Sequence, residues 1–159
     1  SIKESIKLIM NSDEAAVQKY IADFKTKFMS LPFEEVAFPR GMKGLNKYKD
    51  RSNIYIKGTP IHVKGALLFN DLITRKGLTR KHQLIGDGDK IKFAYLKVPN
   101  IINDTVISVL ETLPTELGLD RYVDYDMQFQ KAFLDPIKSI LEIINWDTEK
   151  RSNLEDFFS

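Results

Sequence analysis

The chain of 159 residues contains no cysteine, one tryptophan and two histidines, His62 and His82. Without cysteine there is no disulfide and no thiolate metal site, and a reducing compartment is the natural expectation. Two imidazoles are too few for a histidine metal cluster. No apolar run reaches membrane-spanning length, and no secretory leader is legible. The motifs of independent enzymes are missing as well. There is no Walker-type phosphate loop, no HExxH and no Ser/His/Asp arrangement. The sequence opens on Ser1, which suggests a processed fragment or a piece of something longer.

What is present is a globular composition, 43% hydrophobic and 29% charged, long enough to bury a sizeable core. The net charge of +2 conceals a division. Residues 1–39 carry five Lys against six acids, residues 40–97 fourteen Lys and Arg against four Asp, and residues 100–159 five basic residues against twelve acids. A basic middle with an acidic end points to a polyanion-facing side, where a solvated lysine-rich loop is the plain alternative.

Apolar spacing predicts helices. Ile2, Ile6 and Ile9 form one stripe. Val17, Tyr20, Ile21, Phe24 and Phe28 form a second, after Ser12 and Asp13 as capping residues. A short strand is expected at Val36–Phe38. Residues 39–59 read as a long loop with at most a strand at Ile54–Ile56. Pro60 opens a helix whose inner face is Val63, Ala66, Leu67 and residues 70–73, ended by Gly77. KIKFAYLKV alternates as a strand behind the turn GDGD. Residues 100–119 are not assigned. A helix follows from about Asp120 to Phe133, and Pro136 opens a last one through Ile140, Leu141 and Ile144. The expected class is α+β, helix-dominated, with a few short antiparallel strands and a long basic loop.

In that loop Arg40, Lys43, Lys47, Lys49 and Arg51 interleave with Asn46 and Tyr48. Cations neutralise phosphates, while Gly41 and Gly44 allow a close backbone approach. No base-reading rule is recognisable, so backbone tracking without sequence preference is the expectation. The carboxylate pairs Asp87/Asp89 and Asp124/Asp126 could hold Mg²⁺, but they suit a turn and a helix start better. Both histidines lie in basic sequence surroundings; His82 is expected to be exposed, away from carboxylates.

Three stretches, in order along the chain, resemble the end of family B DNA polymerases. NKYKD with KGTPIHVKGALLFNDLI looks like a stretch of the T-even-like phage replicative polymerases, through Asn46, Lys47, Tyr48, Pro60, His62, Gly65 and Asn70. GDGDKIKFAYL resembles a Gly-acid-basic-aliphatic strand of the thumb region, through Gly88, Asp89, Lys90 and Ile91. YVDYDMQFQKAFLDPIKSIL resembles its helix–Pro–helix signature, through Asp124, Tyr125, Lys131, Phe133, Pro136, Ile140 and Leu141. Asp135 stands where phage relatives tend to carry a base.

The resemblance implies a thumb domain, residues 1–148, that grips duplex DNA. It implies DNA contacts at Lys47, Tyr48, His62, Lys64 and Lys131, then Lys57 and Lys90, with Arg40 and Lys43 added from the basic loop. The catalytic carboxylates and their Mg²⁺ would belong to the palm, so no cofactor and no catalysis are expected in this chain alone. Residues 149–159 would form a sliding-clamp-binding tail with Leu154, Phe157 and Phe158 as anchors, Arg151 replacing the usual Gln. The anchors could instead tuck back onto the domain. The implied partners are primer–template DNA, the clamp, and the palm and exonuclease domains, in a bacterial host cytoplasm. A separately encoded subunit of a split polymerase and a small clamp-binding adaptor are the alternatives.

Overall fold

The computed structural model describes residues 2–11, 13–48 and 58–149. The chain forms two compact units, one of residues 1–31 with 126–159 and one of residues 32–125.

The first unit begins with α1 (Ile2–Asn11) and α2 (Glu14–Phe28). Asp13 caps α2 as expected, its Oδ1 accepting from the Ala16 N–H at 2.8 Å. Val17, Ile21 and Phe28 are buried along its predicted stripe. In α1 the expected stripe fails at Ile6, which is exposed, while Ser5 is buried. Phe24 and Phe28 meet Phe129 and Phe133, with Phe24 4.7 Å from Phe133 between ring centroids. Such aromatic pairs add to simple area burial.

Those partners lie on a helical run made of α5 (Tyr125–Phe129), a wide π-type turn (Gln130–Leu134) and α6 (Asp135–Ile143). Pro136 stands in the first turn of α6, as expected, but the helical run before it continues through the wide turn without a break. Proline lacks the N–H that would bond the carbonyl four residues back, and its ring crowds that carbonyl. The wide turn absorbs the conflict: the Asp135 N–H donates to the Gln130 carbonyl, five residues back. After α6, Asn145 takes a left-handed φ of 60°. The N–H groups of Asn145 and Trp146 then donate to the carbonyls of Glu142 and Leu141, closing the helix end.

The second unit is a three-stranded antiparallel sheet of order β1-β2-β3, comprising β1 (Phe38–Gly41), β2 (Lys90–Tyr95) and β3 (Val106–Val109). A short α3 (Phe33–Val36) precedes β1, so the strand expected at Val36–Phe38 begins two residues later and carries Pro39. That proline is tolerable because β1 is an edge strand. Phe38 pairs with Phe93 and Gly41 with Lys90; Phe93 pairs with Ser108 across the other ladder. In the part of residues 39–59 that is described, strand residues and a tight turn at Leu45–Tyr48 replace the expected loop. The strand foreseen at Ile54–Ile56 lies outside the described residues.

Helix α4 (Ile61–Arg75) covers β3, burying Val63, Ala66, Leu67, Leu68, Phe69 and Ile73. It ends as expected at Gly77 (φ 65°), with the Leu78 N–H donating to the Ile73 carbonyl at 2.9 Å. Contact between α4 and β3 is closest at Gly65. A Cβ there would stand 2.5 Å from Ser108 Oγ, 2.8 Å from the Ser108 backbone nitrogen and 3.0 Å from the Ile107 carbonyl carbon. Beside it Ser108 Oγ donates to the His62 carbonyl at 2.8 Å.

In an exposed helix, Gly→Ala would stabilise by about 1 kcal/mol. Here the sign reverses, because the added methyl meets backbone. Gly65→Ala is expected to destabilise by about 1–3 kcal/mol through overpacking. A urea unfolding curve with a lowered midpoint and an unchanged slope would show it; a raised midpoint would contradict the close packing.

Candidate nucleic-acid interface

The α+β class expected from the sequence is what the chain adopts, and the basic middle falls in the second unit. Arg40 on β1 lies diagonally across from Phe93, with its guanidinium carbon 5.5 Å from the ring centroid. That distance is within cation–π range. Phe93 is also 5.3 Å from Phe38 and 6.0 Å from Tyr95 between centroids, and the His62 ring stands 6.2 Å away. Arg40 and His62, chosen separately in the sequence, thus share one aromatic platform. Partial burial, with the Arg40 charge second, lowers the His62 pKa below the usual imidazole value of 6.5. At neutral pH the ring is neutral and can donate at one nitrogen while accepting at the other.

Lys43 is exposed beyond the end of β1, between two residues that point inward, Met42 and Leu45. The GDGD turn fixes this stretch. The Met42 N–H donates to the Asp89 carbonyl (2.8 Å), Leu45 N–H to Asp87 Oδ1 (3.0 Å) and Gly86 N–H to Asp89 Oδ2 (2.7 Å). The pair Asp87/Asp89 therefore serves a turn, as its spacing suggested. Lys90 is exposed at the start of β2 and lines an open cleft of about 540 Å³ with Lys81, His82, Asp89 and Glu111. His82 is a correction to expectation. It is half-buried and hydrogen-bonded to the carboxylate of Glu116, which lowers the Glu116 pKa. Thirty-four positions separate the two in sequence, so no local pattern could have paired them.

Lys64 has a different setting from the other candidates. Its Nζ lies 3.4 Å from Asp104 Oδ1, and that carboxylate is 6% exposed. Asn100 shapes the loop carrying Asp104, donating from Nδ2 to the carbonyls of Lys97 and Asp104 and accepting at Oδ1 from the Ile102 N–H. Asn70, expected on the inner face of the helix and matched in the resemblance, clamps the backbone of Ile85: Nδ2 donates to its carbonyl (2.9 Å) and Oδ1 accepts from its N–H (2.8 Å). Lys131 is exposed on the wide turn of the first unit. Lys47 and Tyr48 contribute backbone to the turn at Leu45–Tyr48, but their side chains lie outside the described residues. Lys57, Leu154, Phe157 and Phe158 also lie outside them. Among the described residues no group of three or more His, Asp or Glu is placed to hold a metal ion. No described helix is long and apolar enough to cross a membrane.

These features define a class: a helix-dominated α+β module whose small sheet carries Arg40 on its edge strand, over the buried ring of Phe93. The chain is 26% identical over 162 residues to the DNA-directed DNA polymerase of Enterobacteria phage T4, a match covering 99% of this chain and 18% of the phage protein. It has the same identity and coverage with the DNA-directed DNA polymerase of Escherichia phage RB69. Both support the resemblance to T-even phage polymerases drawn from the motifs. The chain spans under a fifth of the length of these relatives. No family model matches it.

Two expectations test the site's chemistry. Lys64→Met would remove the cation beside a buried carboxylate and is expected to cost about 1–3 kcal/mol, largely recovered when Asp104→Asn is added. Additive losses in that double-mutant cycle would contradict the pairing. For His62, the lowered folded-state pKa means that the unfolded chain binds its proton first. Stability from this group is present above pH 6.5 and is lost as the pH falls through the lowered folded value. His62→Gln should flatten that part of the stability–pH curve, measured by urea unfolding.

Proposed function

We propose that the chain is the thumb portion of a DNA-directed DNA polymerase, holding the backbone of the primer–template duplex. The observation that carries this reading is the match to two phage polymerases along 99% of the chain. The exposed set Arg40, Lys43 and Lys90 supports it, since phosphate neutralisation needs cations at the surface. His62, neutral and beside the Phe93 platform, adds a hydrogen-bonding contact to phosphate or sugar. Lys131, Lys47, Tyr48 and Lys57 extend the grip.

Lys64 contributes by holding Asp104 and the loop behind it, and touches DNA secondarily. Phosphoryl transfer and its Mg²⁺ belong to palm segments outside the chain, so the chain by itself binds DNA without turnover. Residues 149–159 tether the enzyme to a sliding clamp through Leu154, Phe157 and Phe158. Tethering raises the local concentration of enzyme at the primer end. The setting is the cytoplasm of an infected bacterium.

Fluorescence anisotropy on a short primer–template duplex tests the grip. If about four phosphates are neutralised, the log–log salt slope is near −3.6, and affinity falls on the order of a hundredfold between about 50 and 200 mM salt. Arg40→Glu, Lys43→Glu and Lys90→Glu should each weaken binding and flatten the slope. Lys64 substitutions must be read beside a stability measurement, because they disturb the pair with Asp104. Binding that ignores salt, or none at low salt, would overturn the proposal.

A further inference from the structure

The first unit carries an apolar groove of about 310 Å³ that the DNA-gripping reading does not use. Its floor is Ile21 and Phe129, both buried, with Ala22 and Leu134 along the sides. Lys19 and Lys25 stand at its rim, Lys25 also 3.6 Å from Asp126. The volume is that of a small ligand pocket, enough for a few apolar side chains. Thr148 and Glu149 line the same groove. The left-handed turn at Asn145 directs the chain there, and Gln18 Nε2 on α2 donates to the Asp147 carbonyl at 3.0 Å. The described chain therefore stops on the groove itself, with residues 150–159, KRSNLEDFFS, still to follow.

We propose that this groove receives the chain's own Leu154, Phe157 and Phe158. Eight residues from Glu149 to Phe157 can span up to about 26–29 Å when extended, so the aromatic pair reaches the floor with slack for a turn. Glu155 and Asp156, between the apolar anchors, complement Lys19 and Lys25. The groove's own acid, Glu149, sits at the point of chain entry, with Lys150 and Arg151 following it directly. An intramolecular ligand also starts at high effective concentration, so modest contacts suffice. The inference stands apart from duplex binding. Where the clamp reading also holds, clamp and groove compete for the same three side chains.

Methyl and aromatic NMR of the full 159-residue chain tests it. Nuclear Overhauser contacts are expected from the rings of Phe157 and Phe158 to the methyls of Ile21, Ala22 and Leu134. The double substitution Phe157→Ser with Phe158→Ser should abolish them and shift those methyls. Ala22→Arg, at an exposed position on the groove wall, should do the same while leaving the tail sequence intact. Groove methyls that ignore the tail substitutions, together with random-coil shifts for residues 150–159, would overturn the proposal. Contacts that disappear on dilution would overturn it too, since they would mean a second copy as occupant. Duplex affinity measured on the same variants reports separately on the polymerase reading.

Discussion

The close approach of α4 to β3 at Gly65 determines where the candidate side chains of the second unit stand. With no Cβ at 65, the helix backbone rests against the strand, and the Ser108 hydroxyl closes on the His62 carbonyl. Those two contacts fix the first turn of α4 in height and rotation. His62 then falls beside Phe93, while Lys64, two residues on, meets Asp104. Val63, between them, is fully buried. A helix standing even one methyl further away would loosen all three placements at once, because they belong to one turn.

The basic character of the middle segment is a matter of how its acids are used. Four Asp oppose fourteen cations between residues 40 and 97. Asp87 and Asp89 accept hydrogen bonds from backbone N–H groups, and Asp71 pairs with Arg75 at 2.7 Å. Asp50 lies outside the described residues. The described acids are thus turned toward backbone or a neighbouring helix position. Arg40, Lys43 and Lys90 are left at the surface, where salt-sensitive attraction to a polyanion is strongest. The same turn that engages the acids also pins Met42 and Leu45, so Lys43 projects from an anchored segment instead of a free loop.

Much of this was legible in the sequence where the signal is local. Asp13 as a cap, Gly77 as a terminator, the strand in KIKFAYL and the turn function of GDGD each depend on neighbours a few residues away, although Ala94, on the face expected to be polar, is buried. Features set by distant partners were not legible. The His82–Glu116 and Lys64–Asp104 pairs join residues at separations of 34 and 40 (104 − 64), and no periodicity announces them. Residues 39–41 read as loop because Pro39 and Gly41 suggest one, whereas edge position lets both continue the strand from Phe38. Gly65 entered through resemblance alone, and Asn70 through resemblance and its place on the inner face of the helix. Their physical reasons, a backbone contact and a side-chain clamp on Ile85, exist only in three dimensions.

The wide turn at Gln130–Leu134 is held from both of its ends. Asp135 closes this turn with both its backbone and its side chain. Its backbone N–H completes the five-residue hydrogen bond to Gln130, and its Oδ1 accepts from Gln130 Nε2 at 2.9 Å. Side chain and backbone thus tie the same two residues together across the turn that Pro136 requires. Lys131, within that turn, remains exposed on a rigidly bonded stretch. A cation at 135 could not accept that amide hydrogen bond. The doubly tied wide turn keeps Phe129 and Phe133 on the same side toward Phe24.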